Sequence, residues 1–320
     1  MKLLVYGAGV IGSYLAHVLC AAGHDVSILA RGRRKEELEK NGLVIRHYIQ
    51  RKTTHDHPKV IEKLDSSEHY DAVFAVMQYQ QMRGILDDLA RADSPVVVLV
   101  GNNLSAAEME EYIKTHTAVP KTVVFGFQGT GGRRENGESV CVRAGAGGLE
   151  CGLLNSLPDP KTKELLDHVF QNSKYKLLYQ PGMQAWYQCH LALILPVCYL
   201  CYALDCDLTK ATRAQLRQTM DAAREGYRLL RGQGIPILPQ GDDRYFEPGP
   251  KRAAMSALLW IMAKTALGRL AASDHCRNAV TEMHALDQGF AQVRSRTPDF
   301  PMLQWDSPVS YTHLTLPTIA

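Results

Sequence analysis

The chain lacks an apolar run long enough to cross a bilayer. Its longest, residues 191–204, is 14 residues with Pro196 inside it, the length of a buried core helix rather than of a membrane span. No secretory signal is expected, since Met1-Lys2 runs straight into an apolar strand. There is no long basic tract, and a net charge of +3 points to no nucleic-acid partner. The eight cysteines have no framework spacing. Cys198-Tyr199-Leu200-Cys201 has a CxxC spacing, but it lies inside the apolar run with no second ligand pair at zinc spacing. It reads as a packed pair, and neither a disulfide scaffold nor a metal site is expected. Internal repeats and low-complexity segments are also absent. These absences leave a globular chain of 320 residues, 46% hydrophobic and 22% charged, long enough for two domains. The expected setting is a reducing cytoplasm, with no membrane or nucleic-acid partner.

What is present is concentrated in residues 1–34. Lys2–Tyr6 reads as a strand, Gly7-Ala8-Gly9-Val10-Ile11-Gly12 as a glycine-rich turn, and the next residues to about Ala22 as a helix stopped by Gly23. Val26–Ala30 reads as a second strand. A GxGxxG turn between a strand and a helix is the dinucleotide-binding fingerprint. Gly7 permits the tight turn, Gly9 lets a pyrophosphate approach the backbone, and Gly12 lets the helix lie close on the sheet. Together with Ala8, Val10 and Ile11 they set free N–H groups and the positive helix end under the phosphates. The end of the second strand lacks the Asp or Glu that holds a ribose 2′-hydroxyl in an NAD site. Arg31 stands there, followed by Arg33, Arg34 and Lys35. A guanidinium fork suits a 2′-phosphate, so NADP(H) is the expected cofactor, with Arg31 as its main contact.

The first half alternates strands and helices, which predicts a parallel sheet with crossover helices. Strands are expected at 43–46, 71–77, 95–100 and 121–127, with helices at 80–92 and 105–115. Residues 139–143 and 149–153 alternate like the arms of a hairpin around Gly145–Gly148. From about Pro181 strand signals vanish, and helices are expected near 183–204, 208–232, 249–270 and 274–296. The fold class is therefore α/β, a Rossmann-type dinucleotide-binding domain over 1–175 and an all-helical substrate domain over 176–306. Residues 307–320 have no periodicity and are expected to be a disordered or non-native tail. In such sheets ligands bind outside the carboxyl ends of the strands, here Gly7–Gly12, Arg31, Gln78 and Asn102.

In order along residues 1–296, the chain resembles the ketopantoate reductase family. The resemblance rests on Gly7–Gly12, Ala30-Arg31-Gly32, Glu37-Leu38, Asn41-Gly42-Leu43, Gly101-Asn102-Asn103, the glycine-punctuated stretch Gly126–Gly152, Glu225 with Gly234-Ile235, and Thr281-Glu282 with Ala285-Leu286. It implies NADPH-dependent reduction of a small ketone or 2-oxo acid, by default 2-dehydropantoate to pantoate in pantothenate biosynthesis, by a possible homodimer. It implies that Asn102 contacts cofactor and substrate and that Glu282 contacts the cofactor. The family's catalytic lysine falls at Gln188 when anchored on Trp186, or at Tyr187 when anchored on Pro196. Its substrate-orienting asparagines fall among Leu191, Ala192 and Leu195, and its other lysine falls at Gln78.

Glutamine hydrogen-bonds a carbonyl but gives no proton, so Tyr187 and His190, three apart on one helix, are the candidate replacements beside Gln188. Arg252 is a weaker candidate for a substrate carboxylate. Two other readings stand beside the reductase. One is a catalytically silent NADP(H)-binding sensor or interaction protein. The other is a related dehydrogenase whose pocket is made more apolar by Leu191, Ala192 and Leu195.

Overall fold

The computed structural model describes residues 1–295. β1 (Lys2–Tyr6) leads through α1 (Val10–Ala21) to β2 (Asp25–Leu29) and α2 (Gly32–Asn41). Three short strands, β3 (Leu43–His47), β4 (Lys52–Asp56) and β5 (Lys59–Ile61), precede β6 (Ala72–Val76). The short helices α3 (Tyr79–Met82) and α4 (Leu86–Arg91) lead to β7 (Val96–Val100), α5 (Ala106–Thr115) and β8 (Thr122–Gln128). β9 (Gly131–Glu135), β10 (Glu138–Val142), β11 (Gly148–Gly152), α6 (Pro160–Phe170) and β12 (Lys176–Tyr179) complete the α/β part.

Eight strands form one sheet in the order β12-β11-β8-β7-β6-β1-β2-β5, with β11 antiparallel to β8 and its other pairings parallel. The central strands β6, Ala-Val-Phe-Ala-Val, and β7, Val-Val-Val-Leu-Val, are buried along their whole length. Continuous apolar runs of this kind suit strands covered on both faces. α1 packs on one side of the sheet, where Leu15, Leu19, Ile28 and Phe74 share a core. α4 and α5 close the other, over Leu4, Val73, Val97 and Phe125.

A second sheet, β4-β3-β10-β9, lies over α1. This corrects the expectation that 139–143 and 149–153 pair as a hairpin. β10 pairs with β9 and β3, whereas β11 pairs with β8 and β12 in the large sheet. Alternation reports that a strand has two faces, but not which strand it joins.

The helical part starts with α7 (Met183–Ala203), followed by α8 (Arg213–Gly232), whose N-terminus carries a Thr212–Gln215 capping box. The two pack side by side at Gly226, where a Cβ would come within 2.9 Å of the Ala192 Cβ. This corrects the short apolar run read from the sequence: α7 as a whole is long and apolar enough to cross a membrane, but 67% of its apolar window is buried inside the protein, so it reads as a core helix. α9 (Pro250–Lys264) ends at Thr265, which is extended, so the helix expected over 249–270 is broken. α10 (Ala266–Gly268), a π-helical turn (Arg269–Ser273), α11 (Asp274–Asn278) and α12 (Val280–Ser295) follow. The expected tail lies outside the described residues.

At the turn after β1 the fold depends on absent side chains. Gly7 has φ +120°, and a Cβ there would overlap the Val76 carbonyl oxygen; a Cβ on Gly12 would overlap the Gly7 carbonyl oxygen. Gly12→Ala is therefore expected to destabilise the protein by about 3 kcal/mol, the upper range for overpacking. A lowered midpoint in urea unfolding checks this; an unchanged midpoint refutes it.

Candidate active site

The glycine turn, the ends of β2, β6 and β7, and the helices α11 and α12 define the site. The middle glycine of the turn, Gly9, differs from the other two. A Cβ on Gly9 would meet nothing within 4 Å, and Gly9 is exposed. Gly9 is also the N-cap of α1, where no side chain caps the helix and no acid lies in the first turn. The N–H groups there thus face open space with the positive helix end behind them. That is a cradle for a phosphate-bearing group, and it is what a dinucleotide requires.

Ala8, Val10 and Ile11 are held from the protein side. The Ala8 carbonyl accepts from Arg34 Nε at 3.1 Å and Ser13 Oγ at 3.3 Å. Val10 abuts Gly132, and the Ile11 carbonyl accepts from Gln128 Nε2 at 3.4 Å.

The arginine cluster divides. Arg31 is exposed at the end of β2, where Nη2 donates to the Tyr6 hydroxyl at 2.9 Å and Nε to the Glu62 carbonyl at 3.4 Å. The Tyr6 hydroxyl in turn donates to Asp88 at 2.8 Å, and burial with Asp88 pushes its pKa up to about 12. Arg34 is buried instead. Besides Ala8, it donates to Ser13 Oγ at 3.1 Å and to the Gly137 carbonyl at 2.8 Å. It latches the glycine turn to the β9–β10 hairpin, a role hidden among neighbouring arginines in the sequence.

α12 brings Glu282 to the ends of β6 and β7. Glu282 is 3% exposed, and its Oε1 accepts the Tyr79 N–H at 3.2 Å. Burial pushes its carboxyl above the ordinary range, while hydrogen bonds from the Tyr79 N–H and Asn102 act the other way. Gln78 Nε2 donates to the Asn278 carbonyl at 3.3 Å. Asn102 is buried, and its Oδ1 has no partner among the described residues. The structure thus gathers Gln78, Asn102 and Glu282.

The α7 residues have other neighbours. Tyr187 is buried, donates to the Gly126 carbonyl at 3.1 Å, and burial pushes its hydroxyl well above the ordinary value. His190 stacks on Trp186 at 4.9 Å and lies 4.2 Å from the Phe127 ring. Desolvation first, then nearby His275, lowers its pKa to about 3. Gln188 is half-buried. Leu191, Ala192 and Leu195 belong to the helical core. Arg252 donates to the Phe246 carbonyl and Asp221, so it is spent within the domain rather than free for a substrate carboxylate.

His275, not picked out in the sequence, stands on α11 with Nε2 3.9 Å from Glu282 Oε2, and burial lowers its pKa. The signal was its place seven residues before Glu282, two turns along a common helix face, which the break between α11 and α12 obscures. Among the described residues, no group of three or more His, Cys, Asp or Glu is placed to hold a metal ion.

Comparison with known proteins puts this geometry in context. Residues 3–155 match the family described as ketopantoate reductase PanE/ApbA. The uncharacterised oxidoreductase YkpB of Bacillus subtilis is 32% identical over 89 residues, 28% of each chain. The 2-dehydropantoate 2-reductase of Mesorhizobium japonicum is 52% identical over 44 residues, 13% of this chain and 14% of that one. These matches span less than a third of either relative's length. Among solved structures, D-mandelate dehydrogenase with NADH superposes with a TM-score of 0.67 at 16% identity, covering 95% of both chains. The 2-dehydropantoate 2-reductase of Geobacter metallireducens superposes with a TM-score of 0.64 at 17% identity, covering 91% of this chain and 99% of that one. At such identities the superpositions show a shared fold.

The His190 environment makes a prediction about acid stability. The unfolded chain takes up this proton near pH 6.5, the folded chain only near 3, so stability is complete above pH 6.5 and declines as pH falls through that window. His190→Phe, which keeps the ring against Trp186, is expected to flatten the loss of stability between pH 6.5 and 4 in urea unfolding. An unchanged slope contradicts the desolvated, neutral imidazole.

Proposed function

From the premise that residues 3–155 are a ketopantoate reductase family domain, we propose that the chain is an NADPH-dependent reductase of a small ketone or 2-oxo acid, with 2-dehydropantoate as the default substrate. The observation that carries this reading is Gly9. Gly7 and Gly12 are demanded by the protein's own backbone, whereas the space beside Gly9 is demanded by nothing in the chain. It fits a pyrophosphate at the N-terminus of α1. Arg31 supports the phosphorylated cofactor, because it is exposed at the end of β2 where a carboxylate would repel a 2′-phosphate.

When bound, the reduced nicotinamide supplies the hydride for the carbonyl carbon. The chain's residues must orient the ketone and protonate its oxygen. Asn102 Oδ1, buried and unpartnered, accepts a hydrogen bond from a donor of cofactor or substrate. Gln188 donates its amide N–H toward the carbonyl without giving up a proton. Tyr187 and His190 are poor proton donors here, the first holding its proton on Gly126 and the second unprotonated near neutral pH. The pair His275–Glu282 sits beside Asn102 with burial favouring the neutral form of each. A carboxyl raised by burial, next to an imidazole, is suited to relay a proton to a forming alkoxide.

NADPH oxidation should follow addition of ketopantoate or another member of a panel of 2-oxo acids and ketones. Arg31→Ala is expected to weaken NADPH roughly 10- to 100-fold, about 1.5–3 kcal/mol for a hydrogen-bonded charge, and to leave NADH binding little changed. Gly9→Val is expected to abolish binding of both without unfolding the protein. His275→Gln should lower kcat with NADPH affinity retained. Failure to bind NADPH refutes the cofactor assignment, and tight binding with no turnover across the panel refutes the reductase.

A further inference from the structure

Away from the glycine turn, a cavity of about 590 Å³ opens between the second sheet and the Ala266–Leu270 segment. Arg46, Arg51, Lys52, Arg133 and Arg269 all line it, and no carboxylate does. Its floor is apolar, made by Val140 and Leu270, which are both 1% exposed, and Tyr48 stands at the side. None of Gly7–Gly12, Arg31, Gln78, Asn102 or Glu282 lines it, so it is distinct from the candidate active site.

The charges around the cavity are only partly balanced. Glu135 pairs with Arg46 and, at 3.4 Å, with Arg133. Asp274 takes Arg133 at 3.2 Å, and Asp207 feels the charge of Arg269 from a distance. Arg51 and Lys52 at the β3–β4 turn and Arg269 across the gap are exposed. Like charges held around one concave space repel one another and raise the local potential for an anion. The arginine forks favour oxygen-rich planar or tetrahedral anions. The volume lies in the range of small-molecule pockets and exceeds what a single phosphate fills, and the apolar floor suits an organic body.

We propose that this cavity is a second binding site, for a small phosphorylated molecule carrying two or more phosphates. Arg51, Lys52 and Arg269 grip the phosphates, while Val140, Leu270 and Tyr48 receive the rest of the ligand. The site joins the α/β part to the helical part, so occupancy ties the two together. The proposal stands independently of the reductase reading.

The test uses the full chain and inorganic tripolyphosphate, followed by calorimetric titration and by thermal unfolding. The expected result is saturable binding that raises the melting temperature and weakens with added salt. Arg51→Glu and Arg269→Glu each weaken it about tenfold or more, and the double variant abolishes it. These residues are exposed, and unfolding of the ligand-free variants shows whether each remains folded; Lys52→Glu is the milder replacement if one does not. ATP as a second probe is expected to bind more tightly than tripolyphosphate, because it also covers the apolar floor. Absence of tripolyphosphate binding overturns the proposal. So does binding that the charge reversals leave unchanged, which places the anion elsewhere, such as on the glycine turn. ATP binding no tighter than tripolyphosphate overturns the role of the floor. A single-stranded oligonucleotide bound more tightly than either probe overturns the small-ligand reading.

Discussion

The close approach of backbone to backbone at the carboxyl ends of β1, β6 and β7 is the constraint on which the rest of the structure rests. Gly7 lies against the Val76 carbonyl, and Gly12 lies against Gly7. Gly101, with φ +151°, would place a Cβ 2.7 Å from the Met77 carbonyl oxygen. Glycine at these three points lets adjacent strand ends converge and turn away without collision. Their convergence aims the N-terminus of α1 across the sheet edge and delivers Gln78 and Asn102 beside it. Since the inner wall of the groove is main chain, its polarity comes from N–H groups whose direction the fold sets. Arg34 then makes the arrangement rigid, tying the turn to the β9–β10 hairpin from its protein side.

How much of this was readable in the sequence follows the range of each interaction. The β1–α1–β2 unit, the stop at Gly23 and the buried strands β6 and β7 are local patterns, and they lie where the residues placed them. The second sheet was not readable. β4 and β9 are short and largely polar or glycine-rich, and β10 pairs with β3 nearly a hundred residues away. Within the site, the turn was legible because a glycine pattern carries its own geometry. The approach of Glu282 to Tyr79 and Asn102 was reached only through family resemblance, as no local signal links residues about two hundred apart. Arg34 looked like its basic neighbours, yet the helix turns it inward while Arg31 stays in solvent. His275 was missed because the helix that would have aligned it with Glu282 is interrupted.

The apolar character of α7 belongs to the same balance. Where the resemblance leads one to expect a lysine, the helix carries half-buried Gln188 or buried Tyr187; where it leads one to expect asparagines, it presents Leu191, Ala192 and Leu195 to the helical core, with Trp186 and His190 packed on Phe127. Asparagines at Leu191, Ala192 or Leu195 would bury amides among apolar neighbours, which is costly without hydrogen-bond partners. α7 has thus become packing surface, and the ionisable groups beside Asn102 come from α11 and α12.

Desolvation of the ionisable groups biases the charge of the site. Burial raises Glu282 and lowers His190 and His275, so each is pushed toward its neutral form. A carboxylate at this place would repel an incoming anion, and a His275 imidazolium would find its counter-ion in Glu282, 3.9 Å away. With both effects muted, the positive potential for anions falls to the N–H groups at the start of α1 and to Arg31 at the rim. On the proposed reading, binding rests on fixed dipoles and one exposed guanidinium, and proton delivery on the His275–Glu282 pair. A site of this kind separates holding the anion from protonating the product, the two tasks that a single lysine ammonium would otherwise combine.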